Sequence, residues 1–299
     1  MMAGGVGPCR FGYYAQVQRE ILDDLGIDYK MVVLEPPRGH LRETLHQLWE
    51  LTGRSSPVKI WQAGRLAWAK LKLVDAIERL TAKIRCREIE RGAAGAVQRQ
   101  TLAWVDTAQD LKEVLALEQK VQAAFAAVNV DPDVSPLQVG LVGEIYTVLE
   151  PAANLELERF LGEQGVEVVR SIYLSEWVIS HLFLDALRLR KDQEKMQRIA
   201  KPYLGNFVGG HGLENISHTI KYALDGLAGV VHIGPLTCMP EIVAKTILPQ
   251  VSHDLDIPVF SVLLDEHTGE SGLHTRLEAF VEMLQVRSEV DKRKAIEIW

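Results

Sequence analysis

The chain has 299 residues, 47% of them hydrophobic and 24% charged, with a formal net charge of −7. That length points to two compact units, and the acidic balance excludes the concentrated basic face of a nucleic-acid binder. No apolar run approaches the roughly 20 residues of a membrane span, and the start lacks the basic-then-apolar pattern of a secretory leader, so a cytoplasmic location is expected. The basic stretch from Lys59 to Arg99 carries interleaved acidic residues and reads as a helix surface.

The chain opens on Val6-Gly7-Pro8-Cys9, the pattern of a strand end running into a Gly-Pro turn. Val17, Ile21, Leu22 and Leu25 recur at helical spacing and predict a helix over Tyr13–Leu25, stopped by Gly26. Tyr29–Leu34 reads as a short strand ended by Glu35-Pro36-Pro37. From His40 to Val130 the apolar residues recur at three and four, which predicts a helical region. Asp131-Pro132-Asp133 and Ser135-Pro136 mark a boundary.

Beyond it, strands are predicted at Leu137–Val142, Val166–Arg170, Gly229–Ile233 and Val259–Leu264. Helices are predicted from Asn154 to about Leu161, near Ile179–Ala200, over Asn215–Leu224, from Pro240 to about Leu255 and over Thr275–Val286. Such alternation argues a parallel sheet covered on both faces. The expected fold is therefore α/β, with two Rossmann-like lobes separated by helices. Residues 1–38 are the remainder of a first, incomplete lobe, 39–130 the helical region, 131–288 the second lobe and 289–299 a tail.

Three cysteines, Cys9, Cys86 and Cys238, are too few and too scattered for a secreted disulfide framework. They are core thiols, reactive thiols or metal ligands. Two of them sit in segments that echo each other. Val6-Gly7-Pro8-Cys9 is followed by a helix, Leu25-Gly26-Ile27-Asp28 and Met31–Glu35. Ile233-Gly234-Pro235, then Cys238, is followed by a helix, Leu255-Asp256-Ile257-Pro258 and Phe260–Asp265. Taken singly, a cysteine near a strand end is an ordinary buried small residue. Two in equivalent places, each before a helix N-terminus that favours thiolate, make a pair of candidate ligands. Sites in open parallel sheets form beyond the carboxyl ends of the strands, where both cysteines lie. Zinc takes four ligands at compact spacing, and no C-x-x-C is present; well-separated thiolates suit an iron–sulfur cluster.

Gly5-Val6-Gly7-Pro8-Cys9-Arg10-Phe11-Gly12-Tyr13-Tyr14 resembles a signature of proteins related to the D component of 2-hydroxyacyl-CoA dehydratase. More closely, it resembles the branch known as CoA-substrate-specific enzyme activase, or CoA protein activase. Val142-Gly143-Glu144-Ile145-Tyr146, Gly234-Pro235-Leu236-Thr237-Cys238-Met239-Pro240 and Asp265-Glu266-His267-Thr268-Gly269 fit the same branch, as does Thr275-Arg276-Leu277-Glu278-Ala279-Phe280. The resemblance implies a 4Fe–4S-type cluster held by cysteines of two α/β lobes, with Cys9 and Cys238 at the ligand positions. It also implies an ATP-dependent activator ATPase as the partner that delivers a low-potential electron. Members of the group carry a longer N-terminal stretch with a further cysteine in a Cys-Leu-Pro-Phe-Lys-like block. That block is absent here, so an N-terminally truncated chain is expected.

The remaining candidates each have an ordinary alternative. Cys86 lies in a charged helix. Gly4-Gly5-Val6-Gly7 is a tight turn or a phosphate cradle, but lacks the full glycine fingerprint and a Walker lysine. Glu144, just after a strand, is a proton donor or acceptor, or the partner of a helix N-terminus. Asn154 reads as a helix cap. Gly209-Gly210-His211-Gly212 is a turn or a lid. Asp265, Glu266, His267 and His274 line the same edge without metal-ligand spacing, and His267 joins Glu144 as a candidate catalytic or supporting group. Arg276 anchors the closing helix or faces an anionic ligand such as a CoA phosphate. The functional expectation is an iron–sulfur redox protein, either dehydratase-like or a low-potential reductase component, working with its activator or as a homodimer. A metal-free interaction or scaffold protein is the alternative.

Overall fold

The computed structural model describes residues 2–3, 9–31, 33–34, 46, 49–53, 55–180 and 191–297. The first unit is small. Strands β1 (Met2–Ala3) and β2 (Val33–Leu34) pair in parallel, Met2 beside Val33 and Ala3 beside Leu34. Between them lie a 3-10 turn (Arg10–Tyr13) and helix α1 (Tyr14–Asp24). The strand expected over Tyr29–Leu34 is confined to its last two residues. Tyr29 packs back on α1 instead, its hydroxyl donating to Asp23 Oδ1 at 2.9 Å and Arg19 O at 3.2 Å. The Gly4–Gly7 turn lies outside the described residues.

The helical region contains three antiparallel-capable segments, α2 (Pro57–Arg85), α3 (Ala93–Thr107) and α4 (Leu111–Ala126). Helix α2 begins with Pro57 at its first position, where the missing N–H costs nothing. Helix α4 begins with a reciprocal cap. Asp110 Oδ1 accepts from Glu113 N at 2.9 Å, and Glu113 Oε2 accepts from Gln109 N at 2.7 Å, an arrangement worth about 1 kcal/mol. Leu73 and Ile77 of α2, Val105 of α3, and Val114, Val121 and Phe125 of α4 close a core of their own.

The second lobe is a four-stranded, all-parallel sheet. Its strands are β3 (Leu137–Gly143), β4 (Val166–Arg170), β5 (Gly229–Pro235) and β6 (Val259–Leu264), in spatial order β4-β3-β5-β6. Helices α5 (Ile145–Leu149), α6 (Leu157–Glu163) and α7 (Leu174–Val178) follow β3 and β4. Helices α8 (Lys191–Ala200) and α9 (Gly212–Leu224) precede β5, α10 (Met239–Asp254) joins β5 to β6, and α11 (Glu270–Glu297) closes the chain.

Side chains alternate across the strands, so each face has its own core. Val139, Leu141, Val231 and Ile233 pack against Ile145, Leu161, Leu277 and Leu284 on one face. Helices α9 and α10 cover the other through Leu213, Ile216, Leu248 and Val251. Gly140 lets Tyr222 lie on the sheet, since a Cβ there would fall 2.3 Å from its ring. The closing helix runs further than Thr275–Val286. No glycine or proline interrupts residues 287–297, so the expected tail continues as helix.

The helical region covers the β4 edge, which would otherwise present unpaired backbone groups. The seam is charged. Arg170 pairs with Glu78 and Glu158, Arg79 with Glu176, and Arg87 with Glu167. Asp75 accepts from Ser175 N at 2.8 Å, and the Arg79 guanidinium lies 3.4 Å from the Tyr173 ring centroid.

Candidate functional site

The chain enters the sheet at β3, steps outward to β4, and returns on the other side of β3 to build β5 and β6. The carboxyl ends of β3 and β5 are therefore the switch point, where a crevice opens in folds of this kind. Glu144 follows β3 directly, and Cys238 follows β5 by three residues. Both sit at that point.

Cys238 occupies the N-cap of α10, and Cys9 occupies the same position before the Arg10–Tyr13 turn that leads into α1. The two echoing segments are thus alike in structure as in sequence. Thr237, in front of Cys238, has φ +69°, a left-handed backbone that a branched residue adopts at a cost. Its hydroxyl accepts from Arg10 Nη1 at 2.6 Å, which ties the Cys9 turn to the Cys238 turn. Gly210 (φ +46°) lies under both, and a Cβ there would come within 3.1 Å of Cys9 Sγ and of Pro240 Cγ.

The two thiols are neighbours. Each is the other's largest influence: the contact and burial push Cys9 far above the ordinary thiol range, while the contact with Cys9 holds Cys238 below it. The Arg10 and Glu241 amides also turn their positive ends toward the Cys238 sulfur, though neither geometry makes a regular cap. Cys238 is fully buried and Cys9 is partly exposed.

Two buried carboxylates lie beneath the pair. Glu144 Oε2 accepts from Thr147 N at 3.0 Å, capping α5, and from the Tyr14 hydroxyl at 3.4 Å. Its Oε1 makes no hydrogen bond. Burial lifts its carboxyl to about 7, against the pull of the Thr147 amide. Glu144 therefore takes one of the two roles the sequence left open, capping a helix, while burial holds its carboxyl well above the usual carboxylate range. Glu241, also fully buried, accepts through Oε2 from Asn215 Nδ2 at 2.7 Å and meets His232 Nε2 at 2.9 Å. His232 Nδ1 lies 2.6 Å from Ser261 Oγ, and Asn215 Oδ1 accepts from Gly143 N at 3.0 Å. Glu241 Oε1, like Glu144 Oε1, makes no hydrogen bond.

The other candidates lie elsewhere. His267 stands on the turn after β6 with 85% of its side chain exposed, facing Glu266 at 3.7 Å. His274 stacks on Phe160 at 4.0 Å between centroids. Asp265 accepts from His267 N and from the Thr268 hydroxyl, closing a turn. Arg276 lies over the Phe260 ring at 5.0 Å, the anchoring role. Asn154 Oδ1 accepts from Leu157 N at 3.1 Å, as a cap does. Cys86 ends α2, buried, its thiol donating to Lys83 O at 3.3 Å. It lies beside Gly165, at the amino edge of the sheet, so a strand length of roughly 20 Å separates it from the pair.

Sequence reading missed Tyr14, Asn215, His232 and Glu241. The signal for the last two was a histidine inside the apolar run Val230-Val231-His232-Ile233, which must find a polar partner when buried.

As a donor set, two soft thiols under helix-end amides suit a thiophilic metal or cluster. Among the described residues no group of three or more His, Cys, Asp or Glu is arranged to hold a metal ion. The pair thus fits as part of a ligand set and falls short of a whole one. No helix among the described residues is long and apolar enough to cross a membrane. No protein-family model matches the chain, and no curated protein matches it.

Proposed function

We propose that the chain is an iron–sulfur redox protein related to the 2-hydroxyacyl-CoA dehydratase components, with Cys9 and Cys238 supplying two thiolates at the switch point. The observation that carries this reading is the approach of two cysteine turns far apart in the chain, tied by Arg10 to Thr237, each at a helix start. The chain brings only these two sulfurs to the site, because Cys86 lies at the other sheet edge; the remaining donors come from beyond the pair. When bound, the cluster supplies one-electron chemistry at low potential. Burial of Cys238 shields its sulfur from water, and Cys9 with the Arg10 and Glu241 amides holds its thiol below the ordinary range. Glu144 holds or releases a proton at near-neutral pH beside Tyr14. The partner this reading calls for is an ATP-dependent activator ATPase.

Anaerobic reconstitution with ferrous iron and sulfide tests it. The wild type is expected to bind both and to gain broad visible absorbance, and Cys9→Ser and Cys238→Ser are each expected to lose them. Equal iron in the wild type and the double variant would sink the reading. A metal-free interaction protein is the second reading. It rests on the donor count of two and on the exposed Trp49, Leu51, Val58 and Trp61 at the start of the helical region. Absence of iron after reconstitution, together with a stable assembly that Trp61→Ala dissolves, would favour it.

A further inference from the structure

The same two sulfurs support a chemistry that needs no metal. We infer that Cys9 and Cys238 form a redox-active dithiol that exchanges with small-molecule disulfides and closes to an intramolecular disulfide. This inference does not rest on the iron–sulfur reading.

Three observations carry it. First, Cys9 Sγ packs on Gly210 beside Pro240, two residues beyond Cys238, so the two cysteine turns are neighbours and closure asks for no large movement of either segment. Second, the approach is held in place. Arg10 Nη1 on Thr237 Oγ1 joins the two turns, and Gly210, with no side chain to intrude, packs on Cys9 Sγ and Pro240. Third, access is unequal. Cys9 is partly exposed, whereas Cys238 is wholly covered. Cys9 is thus the sulfur an incoming reagent reaches, and Cys238 the one that resolves.

The steps balance without another reactant. A disulfide RSSR is attacked by Cys9, the reachable sulfur; the Cys9–S–S–R bond forms as the Cys9 proton is lost, the RS–SR bond breaks, and the leaving RS⁻ takes up that proton. Cys238 then attacks Cys9 Sγ, releasing the second RS⁻ and forming Cys9–S–S–Cys238. The pair gives up two electrons, RSSR accepts them, and the two thiol protons end on two RSH. Proximity of Cys238 favours the second step over attack by solvent thiols, because the resolving sulfur is held in the turn beside Cys9.

The experiment uses the full chain, stripped of metal with chelator under nitrogen and incubated with oxidised glutathione. Thiols are counted in denaturant and the products mapped by mass spectrometry. The expected result is a fall from three titratable thiols to one, a mass loss of about 2 Da, a monomeric product and a cross-linked Cys9–Cys238 peptide, with Cys86 unmodified. Cys238→Ser is expected to stop at a stable glutathione adduct on Cys9. In Cys9→Ser, Cys238 is expected to react at least tenfold more slowly than Cys9 does in the wild type. Three thiols surviving in the wild type would overturn the inference, as would a disulfide through Cys86 or between chains. The wild-type count and map decide the matter even if a variant folds poorly.

Discussion

Two units of this molecule share one plan, strand, cysteine, helix, parallel strand, yet differ in what supports them. The β5–α10–β6 unit sits inside a four-stranded sheet with a core on each face, and its cysteine is wholly buried. The β1–α1–β2 unit pairs two strands of two residues and leaves Tyr13, Ile21, Leu25 and Ile27 exposed. The local pattern places a thiol at a helix start in both; only non-local packing makes it rigid. One sulfur is therefore preset by the large lobe. The other is delivered to it by a thin unit, held through Arg10–Thr237, the edge contact of Phe11 with Trp177 and the tilted contact of Tyr14 with Tyr146.

The comparison breaks most completely at Gly143. A Cβ there would lie 1.9 Å from the Ile233 carbonyl oxygen, between the two strands that frame the crevice. Gly143→Ala is expected to cost about 4 kcal/mol or more in urea unfolding, because the obstacle is backbone and cannot swing aside. The preset half of the site would be lost with it.

Glu144 gives the next effect. Its folded carboxyl lies near 7, above the ordinary 4.5, so the folded chain keeps a proton that the unfolded chain releases. The contribution is fully present below about pH 4.5 and is lost as pH rises through 7, up to about 3 kcal/mol for such a shift. Glu214, lifted to about 7 by burial, has the same sign. His218, lowered to about 4 by desolvation, opposes them by gaining stability as pH rises to its unfolded value, so stability measured by denaturant is expected to fall modestly from pH 5 to pH 8, and Glu144→Gln to remove half of that slope or more. An unchanged slope in the variant would place the effect elsewhere.

The smallest effect separates the units most sharply. Phe11 is half-buried, packed on Trp177 and on the rim of the large core. Phe11→Ala is expected to cost about 1–2 kcal/mol, yet to raise the alkylation rate of Cys9 while the amide exchange of β5 stays unchanged. A uniform rise in exchange across both units would contradict the division.

Much of this was legible in the chain. Val166–Arg170 and Val259–Leu264 read correctly because β-branched and aliphatic runs bounded by turn residues leave few alternatives. Cys9 and Cys238 were legible as a pair because each precedes a helix after a Gly-Pro turn. The crevice itself was not, since nothing local records that β5 returns beside β3. Helix α5 was missed because five residues carry too little periodicity, and the cap that starts it, Glu144, reads equally as loop. His267 drew attention by residue type, but its turn lies beyond an edge strand and points to solvent. The polar cluster under the thiols gathers Tyr14, Glu144, Asn215, His232 and Glu241 from five separate elements, a convergence that only three-dimensional packing produces.

The seam along β4 has a consequence of its own. Helix α2 is keyed to the second lobe by the pairs Glu78–Arg170 and Arg79–Glu176 and by a guanidinium on a tyrosine face, with its hydrocarbon turned inward to its own bundle. Such a joint fixes alignment like a notched key, and because Arg170 and Asp75 lie buried in it, added salt loosens only its outer pair, Arg79 with Glu176. The helical arm thus stays seated where a purely surface joint would slip.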